Sequence, residues 1–228
     1  MAATPLVGRI EGSELALDAF SLDPGESMGL GSGDDDTLLY VHEGEGTLGL
    51  GGDEHSLGDA TAGLVLAGEE ATLVAGDNGL TGVRAKVGPH TDRHAPLGAR
   101  ETVAALEIVP SDNATGARAF QTLFGPHNGS ARATLFAGFV PPGKAPWHYH
   151  LYDEMVWIPT GPARLHLGER VDDLGPGAAF RLRPREVHIV ENASAERMMG
   201  LLGIFTPAGT PSAAYLTADV AADYRFSP

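Results

Sequence analysis

The sequence predicts an all-β protein, a sandwich or a barrel, and three observations favour that fold class. The chain has 228 residues, of which 31 are Gly and 16 are Pro, and this many turn-forming residues exclude a long helical bundle or coiled coil. Hydrophobic residues make up 43% and charged residues 20%, which indicates a folded chain with a core. Short segments of alternating apolar and polar residues recur throughout, as they do in half-buried strands.

Eleven of these segments are predicted strands, and clusters of Gly, Pro, Asp and Asn separate them. Helical periodicity is confined to residues 213–224, for which the sequence predicts a short C-terminal helix. In chain order, the predicted strands are 14–22, 37–42, 46–50, 62–66, 80–87, 131–140, 154–159, 163–167, 178–182, 187–191 and 198–205.

The two halves of the chain share one plan of strands and turns. Leu22-Asp-Pro-Gly resembles Val140-Pro-Pro-Gly, and Leu57-Gly-Asp aligns with Leu174-Gly-Pro at nearly the same offset. Such self-similarity indicates a duplicated unit. We therefore predict two domains, residues 1–100 and residues 101–228.

Charge and composition exclude several classes of partner and chemistry. With 15 basic and 30 acidic residues the net charge is −15, which disfavours nucleic acid and anionic membranes as partners. The absence of cysteine excludes disulfides, thiolate nucleophiles and cysteine-ligated metals. No apolar run is long enough to span a membrane, and the first residues lack the pattern of a signal peptide. We therefore expect a cytoplasmic protein.

One group of residues in the second half has the spacing of a metal site. His148 and His150 are two apart, so on a strand both side chains point to the same face. Glu154 follows a short turn and opens the next predicted strand, and His188 lies on the strand predicted at 187–191. Three neutral imidazoles and a carboxylate suit one divalent transition metal, namely Fe, Mn, Ni, Co or Zn. Four protein ligands would leave open coordination positions, which catalysis needs.

The same residues resemble the first motif of the cupin superfamily. That motif runs Gly, five residues, His-x-His, three or four residues, Glu, six residues and Gly. This chain supplies Gly143, His148, His150, Glu154 and Gly161, and only the first gap differs, with four residues in place of five. The resemblance implies that the two histidines and the glutamate are metal ligands.

The second cupin motif is matched farther along the chain. Gly177, His188 and Asn192 keep its spacing, whereas Arg183 and Arg185 replace the usual Pro and Gly. The resemblance therefore implies His188 as the remaining metal ligand. It also implies that the fold is built from jelly-roll barrels, also called double-stranded β-helices.

The first half follows the cupin plan without the ligands, so the chain resembles a bicupin, with two cupin barrels in tandem and a metal site in the second only. The positions that match the metal ligands carry no pair of imidazoles. They are Gly31 and Gly33 or Leu30 and Ser32 for the His-x-His pair, Thr37 or Asp36 for the glutamate, and Ala71 or Glu70 for the last histidine.

Several neighbours of the motif can also contribute. Tyr152 lies in the ligand hairpin and can reach the mouth of a pocket, so we take it together with Glu154 as a candidate catalytic residue. Trp147 and Tyr149 alternate with the two histidines and are expected to face away from the metal. For both Trp147 and Trp157, packing between barrels or subunits is favoured over a role in substrate binding.

Three arginines alternate near the second motif, at positions 181, 183 and 185. On a continuous strand they would form an outward row. A turn at Pro184 would instead allow one of them to enter the cavity and bind a carboxylate through two hydrogen bonds.

The cupin resemblance implies a small-molecule substrate but does not fix the reaction, because one fold hosts many activities. Cupins with this ligand set include dioxygenases, oxalate decarboxylases and isomerases. We favour an oxidoreductase of the dioxygenase kind. A Lewis-acid isomerase or decarboxylase is one alternative, and a non-catalytic small-molecule binder or sensor is another. Outward aromatic side chains also suggest a homodimer.

Overall fold

The computed structural model describes residues 9–31, 33–114 and 117–218, and their secondary structure is almost entirely β. Eight strands lie in the first half of the chain, which we define as residues 9–105. They are β1 (Arg9–Glu11), β2 (Leu15–Leu22), β3 (Ser27–Gly31), β4 (Asp36–Leu50), β5 (Asp53–Leu57), β6 (Thr61–Val65), β7 (Glu70–Val87) and β8 (Val103–Ala105).

The first half is organised around its two longest strands, β4 and β7, which pair antiparallel over most of their length. The sheet runs β1-β2-β7-β4-β6-β8, with β3 also paired to β7 and β5 also paired to β4. Irregular pairing at Val41 and Gly44 bends β4, and bulges of this kind let a long strand turn a corner. The interior is filled by aliphatic side chains, among them Leu39, Leu48 and Leu73, which are fully buried.

Twelve further strands lie in the second half, residues 112–216, with a short 3-10 helix at Pro126–Asn128. They are β9 (Asp112–Asn113), β10 (Ala119–Phe124), β11 (Thr134–Val140), β12 (Gly143–Lys144), β13 (His148–Tyr149), β14 (Asp153–Ile158), β15 (Ala163–Leu167), β16 (Arg170–Leu174), β17 (Ala178–Leu182), β18 (Ile189–Asn192), β19 (Met199–Thr206) and β20 (Tyr215–Leu216).

The second half forms two main sheets that pack face to face, as in a jelly roll. The larger runs β17-β14-β19-β11-β10-β9 and the smaller runs β12-β18-β15-β16, while β13 pairs with β20. Val156 and Met199 from the larger sheet pack with Leu165 and Val190 from the smaller one in a single buried cluster. The two facing sheets thus enclose the interior in which the candidate site lies.

The two halves are joined by a shared apolar core. Leu17 and Val83 of the first half lie in the same buried cluster as Leu135, Trp157 and Ile204 of the second. Trp157 also meets the His42 ring edge-on, with ring centroids 5.1 Å apart. Packing between the halves, which the sequence analysis favoured for Trp157, is therefore observed.

The predicted all-β fold is confirmed, and every predicted strand overlaps an observed one. The predictions at 37–42 and 46–50 are one strand, β4, because its irregular pairing interrupts the alternation without ending the strand. The prediction of a C-terminal helix is wrong for Tyr215–Leu216, which form β20 by pairing with β13. Residues 219–224 of that prediction lie outside the described residues. Among the described residues, no helix is long and apolar enough to cross a membrane.

Candidate metal centre

His148 and His188 are brought together by backbone pairing, although they are far apart in the sequence. The amide of His188 donates to the carbonyl of His148 at 2.9 Å, and the reciprocal bond measures 3.3 Å. One residue beyond β13, the carbonyl of His150 accepts from the amide of Arg185 at 2.7 Å. These three backbone hydrogen bonds therefore fix the relative positions of the two chain segments that carry the three imidazoles.

The three imidazoles converge inside the second half. Potential ligand atoms of His148, His150 and His188 all lie within 4.8 Å of one another, and all three residues are buried. The ring centroids are 5.0 Å apart for His148 and His150, and 4.4 Å apart for His148 and His188. The two-residue spacing predicted one shared face for His148 and His150, and the structure shows this arrangement.

Hydrogen bonds at Nδ1 orient two of the rings. His148 Nδ1 lies 2.8 Å from the carbonyl oxygen of Pro146, and His188 Nδ1 lies 2.8 Å from that of Glu186. A carbonyl oxygen only accepts, so each Nδ1 carries the proton and each Nε2 keeps its lone pair. Histidines that bind metals are commonly held in this way by a partner of the other ring nitrogen. These two imidazoles are therefore in the tautomer that presents Nε2 to a metal.

Burial keeps the imidazoles neutral. It lowers the pKa of His148 to about 2, with a further contribution from His188. Burial likewise lowers the pKa of His150 to about 3 and that of His188 to about 4. Only a neutral imidazole can coordinate a metal, so the environment holds the three rings in the form that binding requires.

Glu154 supplies a carboxylate beside the imidazoles. It lies on β14 between β17 and β19, and its Oε2 is 3.5 Å from His150 Nε2. This oxygen is buried without a hydrogen-bond partner, and burial raises the pKa of the Glu154 carboxyl to about 8. Gly203, on the neighbouring strand β19, leaves space for the Glu154 side chain. A Cβ at this position would collide with the Phe136 ring and lie 3.0 Å from Glu154 Oε1.

This donor set fits a divalent transition metal. Three neutral imidazoles with converging nitrogens can bind such an ion. A partnerless buried carboxylate oxygen is costly, and a cation beside Glu154 would offset that cost. The predicted ligands His148, His150 and His188 are therefore brought together, with Glu154 next to His150.

Tyr152 is packed against the site. Its ring stacks on His150 with centroids 4.5 Å apart and on Phe205 with centroids 3.9 Å apart. The side chain lines the same cavity as the histidines. Burial, followed by the charge of Glu154, raises the pKa of its hydroxyl, so Tyr152 is a neutral group that can donate a hydrogen bond into the cavity.

The site opens into a small, largely apolar cavity of about 80 Å³. The segment before and around β20 lines one side of it, and the Ala213 carbonyl lies 3.4 Å from His150 Nδ1. Aliphatic and aromatic side chains from the facing sheets form the walls. They include Phe120, Phe136, Phe139, Val156, Leu182, Val190 and Leu201.

Arg118 also lines this cavity, and the sequence analysis did not identify it. It lies just before β10 in a turn-rich stretch, with no periodicity or motif to single it out. The arginines that the sequence analysis did consider are held elsewhere. Arg181 binds Asp153 through two hydrogen bonds of 2.7 and 2.8 Å, and Arg183 lies 3.9 Å from Glu186. Neither they nor Arg185 line the cavity.

The aromatic neighbours of the histidines pack outside the site. Trp147 meets the His166 ring edge-on, with centroids 6.3 Å apart, and Tyr149 stacks on Tyr215 at 5.4 Å. Neither lines the cavity. The expectation that both residues face away from the imidazoles agrees with these contacts.

In the first half, several positions that align with the metal ligands make structural contacts instead. Leu30 and Ala71 belong to the aliphatic core, and Asp36 lies 3.3 Å from the buried Arg132. Ser32 lies outside the described residues. Within the described ranges, no second group of three or more ligand-forming His, Asp or Glu side chains occurs.

A comparison with family models places a cupin domain in the second half. The family described as "Cupin domain" matches residues 136–211, a stretch that contains all four candidate ligands. No curated protein sequence matches the chain.

Solved structures with little sequence identity share the fold over most of the chain. An iolb-like protein from Salmonella typhimurium aligns with a TM-score of 0.76 at 12% identity over 96% of both chains. Oxalate decarboxylase from Lactobacillus farciminis, in a formate complex, aligns with a TM-score of 0.75 at 12% identity, covering 93% of this chain and 82% of that one. Bacillus subtilis oxalate decarboxylase, described with Mn(II) centres, aligns at 0.70 and 15% identity, with coverages of 93% and 73%.

Proposed function

We propose that this protein is a metal-dependent cupin enzyme that transforms a small organic molecule at a site formed by His148, His150, Glu154 and His188. One observation carries the proposal. Three buried, neutral imidazoles converge beside a buried carboxylate oxygen that has no other partner. Without an ion, Glu154 Oε2 stays buried with no hydrogen-bond partner, whereas a divalent ion would accept lone pairs from this oxygen and from the imidazoles.

The residues around the ion divide the remaining tasks. The ion, when bound, supplies Lewis acidity and open coordination positions. The Nδ1 hydrogen bonds of His148 and His188 hold their rings in place, and the apolar walls exclude water from the reacting molecule. Tyr152 offers a hydroxyl proton at the cavity surface, and Glu154 provides a charge that balances the cation.

For the reaction we favour an oxidoreductase of the dioxygenase kind. Four protein ligands would leave one open position on a five-coordinate ion and two on a six-coordinate ion, which can then bind two small molecules at once. The apolar cavity wall suits an uncharged diatomic molecule beside an organic substrate. An ion at this site can be Fe, Mn, Ni, Co or Zn, and this reaction class requires a redox-active one, of which Fe is the foremost choice.

A decarboxylase is the second candidate, and the similarity to two oxalate decarboxylase structures supports it. In that case the carbon that loses CO2 has to receive a proton, and Tyr152 is the group beside the site that carries one, while Glu154 remains an ionised ligand. This reaction consumes no dioxygen overall, which separates it from the first candidate.

An oxygen electrode and a CO2 assay test the assignment. The purified protein, reloaded separately with Fe(II) and Mn(II), is expected to consume dioxygen with at least one member of a panel of small organic acids and phenols. Metal-free protein and the His148→Ala variant should not. Release of CO2 without oxygen uptake would favour the decarboxylase. A fully metal-loaded protein that changes no member of the panel would favour a non-catalytic binder.

We also propose a bicupin organisation with domains at residues 1–100 and 101–228, in which only the second carries the metal, and a homodimer in solution. Strand pairing among the described strands supports two units, because it stays within residues 9–105 and 112–216; β8, just beyond residue 100, pairs with β6 of the first half. Exposed apolar side chains near the ligand hairpin, Leu151 and Tyr215, support the homodimer. Sedimentation equilibrium at micromolar concentration should give twice the chain mass of 23.7 kDa. A strict monomer would contradict the dimer.

A further inference from the structure

We propose that residues 207–217 form a strap that opens to admit the substrate and that, when closed, orients the His150 ring for metal binding through the carbonyl of Ala213. The inference rests on the proposed function, because it assigns an entrance and a positioning group to that same site. It is carried by the contacts of the strap, which follows β19 and includes β20.

The strap forms one side of the cavity that holds the candidate ligands. Pro211, Ser212 and Ala214 line this cavity together with the three histidines. The cavity measures about 80 Å³, whereas an engineered cavity that binds benzene measures about 150 Å³. An organic substrate of that size or larger therefore cannot enter until part of the wall moves.

The strap is attached more loosely than the sheets that form the other walls. Its strand β20 has two residues and makes two residue pairs with β13. Among the described residues, none from the strap belongs to a buried apolar cluster, whereas the wall residues Val156, Leu182 and Val190 share one. Segments that bury little apolar surface open at a lower free-energy cost than core strands do. The strap can therefore open while both sheets stay folded.

Two anchors hold the strap closed, one near each end. The buried Thr134 hydroxyl donates to the Gly209 carbonyl at 2.8 Å and lies 3.0 Å from the Gly209 amide. At the other end, Tyr215 stacks on Tyr149 with ring centroids 5.4 Å apart. Neither Thr134 nor Tyr215 lines the cavity, so each anchor can be removed without changing the wall itself.

The closed strap supplies the group that orients His150. For the other two imidazoles, Nδ1 lies beside a carbonyl two residues earlier in the same segment. For His150, Nδ1 lies 3.4 Å from the Ala213 carbonyl of the strap. Because a carbonyl oxygen only accepts, this contact keeps the proton on Nδ1 and leaves Nε2 free for a metal.

Opening of the strap removes this acceptor from His150. The imidazole proton can then move to Nε2, where Glu154 Oε2 lies 3.5 Å away and has no hydrogen-bond partner. In that tautomer His150 cannot bind a metal through Nε2, and its proton also occupies the Glu154 oxygen. Closure of the strap therefore favours metal binding, and bound metal favours closure to the same extent, because the two equilibria are linked.

A disulfide between positions 149 and 215 tests the opening of the strap. Tyr149 and Tyr215 are paired in the β13–β20 ladder, and paired residues of antiparallel strands have Cα atoms about 4.5 to 5.5 Å apart, which a disulfide can span. The chain has no cysteine of its own, so Tyr149→Cys/Tyr215→Cys can form only this bridge within one molecule. Oxidation with diamide closes the bridge, and a phosphine reductant opens it again.

The probes are benzohydroxamate, a bidentate metal ligand with a phenyl group, and azide, a small linear anion. Both are added to the Co(II)-loaded double variant, because the visible absorption of Co(II) changes when a ligand binds. Oxidation should slow the binding of benzohydroxamate by about tenfold or more, since the entrance is held closed. Azide should bind the oxidised and reduced forms at similar rates.

Loosening the strap tests its positioning role. Tyr215→Ala removes the stacking and Thr134→Val removes the contacts to Gly209, and each variant should bind Co(II) about tenfold more weakly, since a metal ligand loses its support. The Co(II) spectrum of both variants should change, because the His150 ring is no longer fixed. Tyr215→Phe keeps the stacking and should restore the affinity and spectrum of the wild type.

Val171→Ala is the matched control for Tyr215→Ala. Val171 is an exposed apolar residue on β16 that does not line the cavity, so its removal should leave Co(II) affinity and spectrum unchanged. Thermal unfolding is measured for every variant, so that a general loss of folding is recognised.

Equal benzohydroxamate rates in the oxidised and reduced forms, or no binding to the reduced form, would overturn the opening of the strap. Wild-type Co(II) affinity and spectrum in both Tyr215→Ala and Thr134→Val would overturn its positioning role. Failure of the wild type to bind Co(II) would instead contradict the proposed function. Hydrogen exchange of the metal-free protein then tests the strap, since residues 207–217 should exchange faster than β14. Equal protection of the two segments would overturn the inference.

Discussion

The double variant His148→Ala/His150→Ala is expected to purify without metal. Two of the four proposed ligands vanish, and the third imidazole cannot hold an ion with Glu154 alone. Loss of a partner that merely supports a ligand already weakens metal binding ten- to hundredfold. We therefore expect loss of two ligands to weaken it by about a thousandfold or more. Elemental analysis of the purified variant and calorimetric titration with Mn(II) measure the change.

The control for this variant removes two other histidines. His90 and His94 are exposed and lie outside the cavity, so His90→Ala/His94→Ala should keep full metal content. Both double variants should fold, because removing buried imidazoles from a metal-free site leaves the surrounding sheets intact. Unchanged metal content in His148→Ala/His150→Ala would show that the ion binds elsewhere.

Glu154→Gln is expected to bind Mn(II) or Fe(II) about ten- to hundredfold more weakly than the wild type does. The change keeps the size and one acceptor oxygen but removes the charge that balances the cation. If Glu154 acted instead as a general base detached from the metal, affinity would stay near normal while turnover collapsed. Titration of the metal-free wild type and variant separates the two roles, and equal affinities would contradict the ligand role.

The same variant has a pH-dependent signature in the metal-free protein. Burial raises the pKa of Glu154 from 4.5 to about 8, so the folded state holds this proton more tightly than the unfolded state does. The contribution of this group to stability is therefore complete below about pH 4.5 and is lost as pH rises through 8. The amide of the Glu154→Gln variant cannot ionise, so the variant does not lose this stability as pH rises.

Metal-free Glu154→Gln should thus gain stability relative to metal-free wild type as pH rises from 5 to 8. Bound metal should reverse the order, because the ion favours the ionised carboxylate. Thermal unfolding of both proteins across this range, with and without Mn(II), measures both effects. A stability difference that does not change with pH would contradict the buried, uncompensated state of Glu154.

Spacing along the chain was sufficient to predict the shared face of His148 and His150, whereas the resemblance to the cupin motifs supplied His188. The two-residue interval of His148 and His150 gives a shared face on any extended chain, and the structure keeps that face even though β13 covers only His148–Tyr149. The alternation of apolar residues likewise predicted most strands, since a buried face requires it. These features are local in sequence, and local patterns are what a single sequence displays.

Features that depend on distant pairing could not be predicted in this way. Arg118 reaches the cavity because β10 pairs with β11, and nothing in its neighbourhood marks it. Tyr215–Leu216 form a strand because β13 offers an edge to pair with, which overrides the helical periodicity of that segment. The outward or inward direction of Arg181 was settled by its bidentate partner Asp153, a residue on the neighbouring strand.

Metal stoichiometry of the wild-type protein tests the central claim most directly. The metal-free chain, titrated with Mn(II) and then freed of excess ion, should retain one equivalent per chain by elemental analysis, with the electron paramagnetic resonance signature of an ion bound by imidazole nitrogens. Two equivalents per chain would contradict a site confined to the second half. No retained metal, in a protein that unfolds cooperatively, would contradict the metal centre itself.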